Sequence, residues 1–307
     1  MSVSPKSALK AIRLADSVLN WSVIAGLVLL LGLGGYAIWD RAQVYGNASG
    51  EQYLAYEPTA AGFSSFDDLR ATNPDVFGWL EVYGTHINYP LVQGPDDMKY
   101  INNNAKGQYS LSGAIFLSAD NKQDFSDFNN IIYGHHMDHE AMFGPISDFS
   151  DANFFFAHRY GTLFHDGQTY GIEFFAFAQA DAYNTKIFRV AENNTTDKQA
   201  YLRDLLALAV EDRPDVGVSP DDHIVLLSTC SSASTNGRDI LVGKIETQVK
   251  PDPFPALTHN WSALDATIAV MPNIMSHGVL WYWSALFVIM AVSAVVLLRA
   301  RKKRGTS

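Results

Sequence analysis

The sequence predicts a mostly β domain, a largely antiparallel barrel or sandwich, carried between two membrane-spanning segments. Three observations point there. Short β-like runs recur through the middle of the chain, separated by clusters of Gly, Pro, Asn and Asp. One amphipathic stretch among them has helical spacing. Outside them, residues 18–39 and 279–298 carry no charge, and each is long enough to cross about 30 Å of hydrocarbon as a helix of ~20 residues.

Taken in order, residues 1–17 read as a cytoplasmic tail and Val18–Trp39 as the first span. Trp21, Tyr36 and Trp39 near its ends suit an interfacial aromatic belt, and no small-x-small cleavage site follows, so a retained anchor is expected rather than a cleaved signal. Residues 40–65 read as a stalk with one helix. Phe66–Arg70 suggests a short helix stopped by the turn Asn73-Pro74-Asp75. Strands are expected over 77–82, 86–92, 113–117, 130–133, 169–178, 223–229 and 240–246. The stretch 196–210 places Tyr201, Leu202, Leu205, Leu206 and Leu208 at helical spacing, which predicts a helix inserted before the strand that ends at Cys230. The main folded domain is expected over 66–250, then a linker over 251–278, the second span over 279–298 and a basic tail over 299–307.

Charge sets the topology. Lys6, Lys10 and Arg13 against Asp16 leave the first 17 residues at +2, and Arg299, Arg301, Lys302, Lys303 and Arg304 follow the second span. The positive-inside rule puts both termini in the cytoplasm and the domain between them outside the cell. The whole chain of 307 residues carries −10, so the acidic excess lies in the external part. Such a surface is unsuited to nucleic acid, whose binding rests on Lys and Arg at phosphates.

Cys230 is the only cysteine, and it ends the apolar run Ile224-Val225-Leu226-Leu227-Ser228-Thr229, with Arg238 a short loop beyond. From the cysteine alone, a buried small hydrophobe is the default reading. An external thiol without an intrachain disulfide partner also admits a reactive role. The second chemical cluster is Tyr133-Gly134-His135-His136-Met137-Asp138-His139. His135 and His139 have the i, i+4 spacing of a helical metal site, but no glutamate of an HExxH pattern lies between them. His136 and His139 are expected as solvated loop residues, and His135 as a catalytic imidazole meeting Cys230 in space. The residues require neither metal nor cofactor.

The ordered series Tyr133-Gly134-His135, Met142-Phe143-Gly144, Leu227-Ser228-Thr229-Cys230 and Arg238 resembles the sortase family. Phe66-Asp67-Asp68-Leu69, Asn73-Pro74-Asp75, Gly78-Trp79-Leu80, Ile87-Asn88-Tyr89-Pro90, Val92-Gln93-Gly94 and Gly113-Ala114-Ile115-Phe116-Leu117 resemble its class B branch, as does the inserted helix. The resemblance covers roughly residues 66–245. It departs at His136, where an Asn is common, and at the second span, which is more familiar among pilus-building sortases.

The resemblance implies a closed barrel of about eight strands and a Gram-positive transpeptidase. Cys230 would attack a peptide carbonyl, His135 would exchange the proton, and Arg238 would bind an oxyanion or substrate carbonyl. Ser231 N–H is a further candidate oxyanion donor. The implied partners are secreted proteins with a C-terminal sorting signal and an amine acceptor on a cell-wall precursor or, alternatively, a pilin lysine. Three rivals remain at this level. An L,D-transpeptidase would carry Ser-x-Gly-Cys, against Ser228-Thr229-Cys230 here. A sorted wall protein would need a Leu-Pro-x-Thr-Gly-like signal, which Met271-Pro272-Asn273 lacks. A catalytically silent membrane binding module would not depend on Cys230.

Overall fold

The computed structural model describes residues 5–58, 64–138, 140–230 and 236–254. The expected second span and basic tail lie outside them. The first element, α1, runs from Pro5 to Ala48, so the helix extends past both ends of the expected 18–39 segment and takes in the start of the expected stalk. The chain has no proline between Pro5 and Pro58, so nothing there removes a backbone donor from the helical ladder. Among the described residues this is the one helix long and apolar enough to cross a membrane. It stops at Ser49, whose hydroxyl accepts from Glu51 N–H and caps a 3₁₀ turn over Gly50–Tyr56.

The described residues between 44 and 254 form one compact unit. Helix α2 spans Ser64–Thr72 and ends where Asn73 turns its amide inward, donating to the Tyr100 hydroxyl at 2.9 Å and the Ala105 carbonyl at 3.0 Å. Nine strands follow: β1 Val76–Val82, β2 Asn88–Val92, β3 Ile115–Leu117, β4 Asn129–Tyr133, β5 Tyr160–His165, β6 Gln168–Asp181, β7 Ala209–Asp212, β8 Ile224–Cys230 and β9 Gly237–Glu246. Eight of them pair in the order β5-β1-β2-β3-β4-β8-β9-β6, and a β5–β6 pairing closes the ring. Closure removes the open edges that an antiparallel sheet of this size would otherwise expose. β7 lies outside the ring, on β6. The pairings β2–β3 and β4–β8 are parallel; the others are antiparallel.

Two elements differ from the sequence expectation. β5 lies where no strand is predicted, although its turn is written in Asp166-Gly167. Both residues have positive φ, 49° and 75°, as a two-residue hairpin loop requires. The expected helix over 196–210 is α4, Thr195–Leu206, capped by the Asn194 side chain. Its last predicted turn is instead β7, because hydrogen bonds from Ala176–Ala178 of β6 reward an extended backbone there more than another helical turn would. Helix α3, Ala152–Ala157, is short and also capped, by Asp151.

The alternation of β8 builds two cores. Val225 and Leu227 enter the barrel interior beside Leu80, Ile132, Phe174 and Leu241. Ile224 and Leu226 face the other way and pack with Phe128, Tyr201, Leu205 and Val242. Each such fully buried side chain is worth about 1.5–3 kcal/mol in transfer terms, so both faces of β8 are anchored before the strand reaches Cys230.

Candidate active site

Strand register brings the three predicted residues together. β4 and β8 run parallel with Tyr133 opposite Ser228, and Gly134 N–H continues the ladder to the Ser228 carbonyl at 3.2 Å. His135 follows Tyr133 by two residues and Cys230 follows Ser228 by two, so both backbone positions come just after this shared pair. β9 runs antiparallel to β8 and places Arg238 opposite Cys230. Three neighbouring segments thus bring the backbones of His135, Cys230 and Arg238 to one end of the barrel. Residues 231–235, with the candidate donor Ser231, lie outside the described residues, as does His139.

His135 is oriented by a backbone group the sequence gives no sign of. Its Nε2 lies 2.8 Å from the Ile101 carbonyl. A carbonyl only accepts, so this bond puts a proton on Nε2 and, in the neutral ring, leaves Nδ1 as the basic nitrogen. Ile101 belongs to the β2–β3 connection, which also passes beside the ring at Gly113. A Cβ there would stand 2.6 Å from the Ile101 carbonyl oxygen and 3.1 Å from His135 Cδ2, and its φ is +61°. Glycine is therefore required twice, for backbone conformation and for space.

Arg238 is half-buried and donates to the Gly237 carbonyl at 3.2 Å. Its charge reaches Tyr133. Burial pushes that phenol up to about 12 and Asp97 adds to the rise, while Arg238 pulls it down. Ser228 Oγ and Thr229 Oγ1, just before Cys230, are buried without a hydrogen-bond partner among the described residues.

The loop after His135 is not helical through Asp138, so the i, i+4 spacing of His135 and His139 does not fall on a helix face. It folds back on itself: Phe143 N–H donates to the His135 carbonyl at 3.0 Å, His136 bridges Met142, and Glu140 and Met142 take φ of 57° and 53°. His136, expected as a solvated loop residue, is half-buried. Its Nδ1 is buried without a partner among the described residues, because the bridge to Met142 draws it under the loop. Glu140 accepts from His86 Nε2 at 2.7 Å. Nearby, burial raises the Asp148 carboxyl and Glu140 adds to the rise, against the lowering by His136 and His158.

No family model matches the chain. The sortase B of Listeria monocytogenes is 33% identical over 186 residues, 59% of this chain and 74% of that protein. The solved sortase B from the type II pilus of Streptococcus pneumoniae is 44% identical, covering 61% of this chain and 99% of that one at a TM-score of 0.52. A Streptococcus pyogenes class B sortase involved in pilus biogenesis is 39% identical, covering 60% and 98% at 0.54. A closed eight-stranded barrel and a class B relative matched across three quarters of its length lead to one conclusion: this chain belongs to the sortase family, in its class B branch, and is a cysteine transpeptidase.

Proposed function

We propose that Cys230 is the nucleophile, His135 the general acid–base and Arg238 the oxyanion or substrate-carbonyl partner of a membrane-held sortase. The observation that carries this reading is the register that sets Tyr133 opposite Ser228, two residues before His135 and Cys230, and Arg238 opposite Cys230. His135 takes the thiol proton, the thiolate attacks the carbonyl carbon at the cleaved bond, and Arg238 meets the charge that develops on oxygen. The C–N bond breaks, the leaving amine takes the proton from His135, and a thioester remains on Cys230. An acceptor amine then attacks the thioester, passes its proton to His135, and the C–S bond breaks to return the thiol.

The donor in this reading is a secreted protein with a C-terminal sorting signal, cleaved after a Thr. The acceptor is an amine on a cell-wall precursor. A pilin lysine is a second reading, favoured by the two streptococcal relatives, whose names tie them to pili. The catalytic domain spans residues 66–250. The apolar α1 and the uncharged 279–298 segment hold it at the outer membrane face with both termini inside, where donor and lipid-linked acceptor arrive.

The test is mass spectrometry of the full chain in detergent micelles with a library of sorting-motif peptides and two competing amines, a wall-peptide mimic and a pilin lysine peptide. The expected result is a thioester adduct on Cys230 and ligated product, both lost in Cys230→Ala. Ligation that survives that substitution would sink the assignment. The preferred amine decides between wall and pilus.

A further inference from the structure

The end of the apolar helix, where the next segment begins, is joined to the His135 loop through one phenol. Tyr89, near the start of β2, is 3% exposed. Its hydroxyl donates to the Ala48 carbonyl at 2.9 Å and accepts from Met142 N–H at 2.9 Å. Ala48 is the last residue of α1, and Met142 is in the loop that closes onto the His135 carbonyl through Phe143. Both groups are buried, so each depends on this hydroxyl for a partner that water does not replace.

Packing alone does not set the distance between these parts. A small pocket lies among Asn47, Tyr53, Tyr89, Gly113 and Met142, so these parts lack some of the contacts that full packing would supply. The loop is also held in costly backbone states. Glu140 and Met142 both occupy the left-handed region, each costing on the order of 1 kcal/mol or more, and such residues persist only where the surroundings over-determine them. On the other side the fit is close. A Cβ on Gly50 would stand 2.5 Å from the Asn88 carbonyl oxygen and 3.3 Å from the Tyr89 ring, so the segment after α1 seats on β2 only with glycine there.

We propose that Tyr89 is a positioning residue for acyl transfer, whose hydroxyl makes the seating of the segment after α1 set the place of the His135 loop. The imidazole acts at its best only when that segment is seated, which ties catalysis to the part of the chain next to the membrane helix. The inference rests on the assignment of His135 as acid–base.

The experiment uses the full chain in detergent micelles as wild type, Tyr89→Phe, Gly50→Ala and the double variant. Ligation is followed as kcat and KM, together with hydrogen exchange across residues 134–144 and in β8 and β9. Tyr89→Phe keeps the ring and is expected to lower kcat about tenfold with KM unchanged. Gly50→Ala gives a similar loss, and the double variant is no worse than either single one. Exchange at Met142 quickens at least tenfold in each variant while β8 and β9 keep their protection. Wild-type kcat in Tyr89→Phe, additive losses, or loosening spread evenly over the barrel would each overturn the proposal. If Gly50→Ala does not fold, Tyr89→Phe and its exchange pattern carry the test. Ligation unaffected by His135→Ala would overturn the catalytic assignment instead, and the exchange pattern would still report on the hydroxyl link.

Discussion

The two ends of the parallel pair β4–β8 treat polar groups in opposite ways. At the end where the strands begin, Asn129 is fully buried, donates to the Arg189 carbonyl and accepts from Ala191 N–H, both at 2.7 Å. Asn121 accepts from Ile131 N–H and donates to the Asn129 carbonyl at 2.9 Å. Asp127 receives Lys122 N–H, and its carbonyl meets His223 Nδ1. Lys244 closes the base on Asp222 at 3.1 Å. Only Asn130 Oδ1 is left over there among the described residues. At the end where the strands stop, Ser228, Thr229 and His136 keep buried polar atoms without partners among the described residues, and the loop holds two left-handed residues. A saturated network makes one end rigid and lets the other carry unspent polar groups and strain, as functional sites do. Stability and chemistry are thereby placed at opposite ends of the same two strands.

That division predicts different failures at the two ends. The largest effect is expected from Cys230→Ala, which removes the proposed nucleophile: loss of ligation by at least about a thousandfold, with a urea midpoint close to wild type. A large fall in that midpoint would mean that the site end also carries the fold. At the base, Asn129→Ala leaves an N–H and a carbonyl unpaired in the interior. It should cost about 2–4 kcal/mol in urea unfolding while kcat per folded molecule stays unchanged; a fall in kcat would break the separation.

Arg238→Lys keeps the charge and loses the planar fork. We expect kcat/KM to fall about 10- to 100-fold with little change in melting temperature, and an unchanged rate would reduce Arg238 to a point charge. Gly113→Ala should lower both quantities, stability by about 1–3 kcal/mol and kcat several-fold, because the new methyl meets the Ile101 and Tyr100 carbonyl oxygens at 2.6 Å and the His135 ring as well. An intact kcat there would mean that the carbonyl on Nε2 does not orient the ring.

The smallest effect concerns pH. On β1, burial pushes Glu81 up to about 7, with Glu57 and Asp252 adding to the rise and Thr162 opposing it. Glu57 is raised by burial too, against a hydrogen bond from Asn88. A raised carboxyl favours the protonated native state. Its contribution is complete below the unfolded value near 4.5 and is lost as pH climbs through about 7. Glu81→Gln should therefore flatten stability between these values and raise it at pH 8 by roughly 1 kcal/mol, after allowing for solvent screening. Melting curves at pH 5 and pH 8 check this; a wild-type stability that rises over the interval would refute the sign.

Much of this was legible in order and pattern. The alternation in Ile224–Cys230 and the Gly-, Asn- and Asp-rich breaks identify strands because side chains on a strand alternate faces and turns need particular residues. Asp166-Gly167 marks the hairpin that brings in β5, a strand absent from the sequence expectation. β7 was hidden differently: Ala209 and Val210 are compatible with a helical turn, and only the neighbouring edge of β6 makes the extended form better. At the site, Cys230, Arg238 and His135 stand out as residue types in a known order. The Ile101 carbonyl and the phenol between Ala48 and Met142 do not, since a backbone oxygen has no letter of its own and a tyrosine carries no mark of its partners.

By itself, then, the sequence determined the apolar helix and the β character of the domain and named the candidate reactive groups, all of which depend on local periodicity and side-chain chemistry. Tertiary structure decided ring closure through β5–β6, the parallel β4–β8 register that sets Tyr133 opposite Ser228, and the tautomer imposed on His135. Each of these depends on which distant segments become neighbours, and hydrogen-bond pairing between strands, rather than the preference of any one residue, selects among those arrangements.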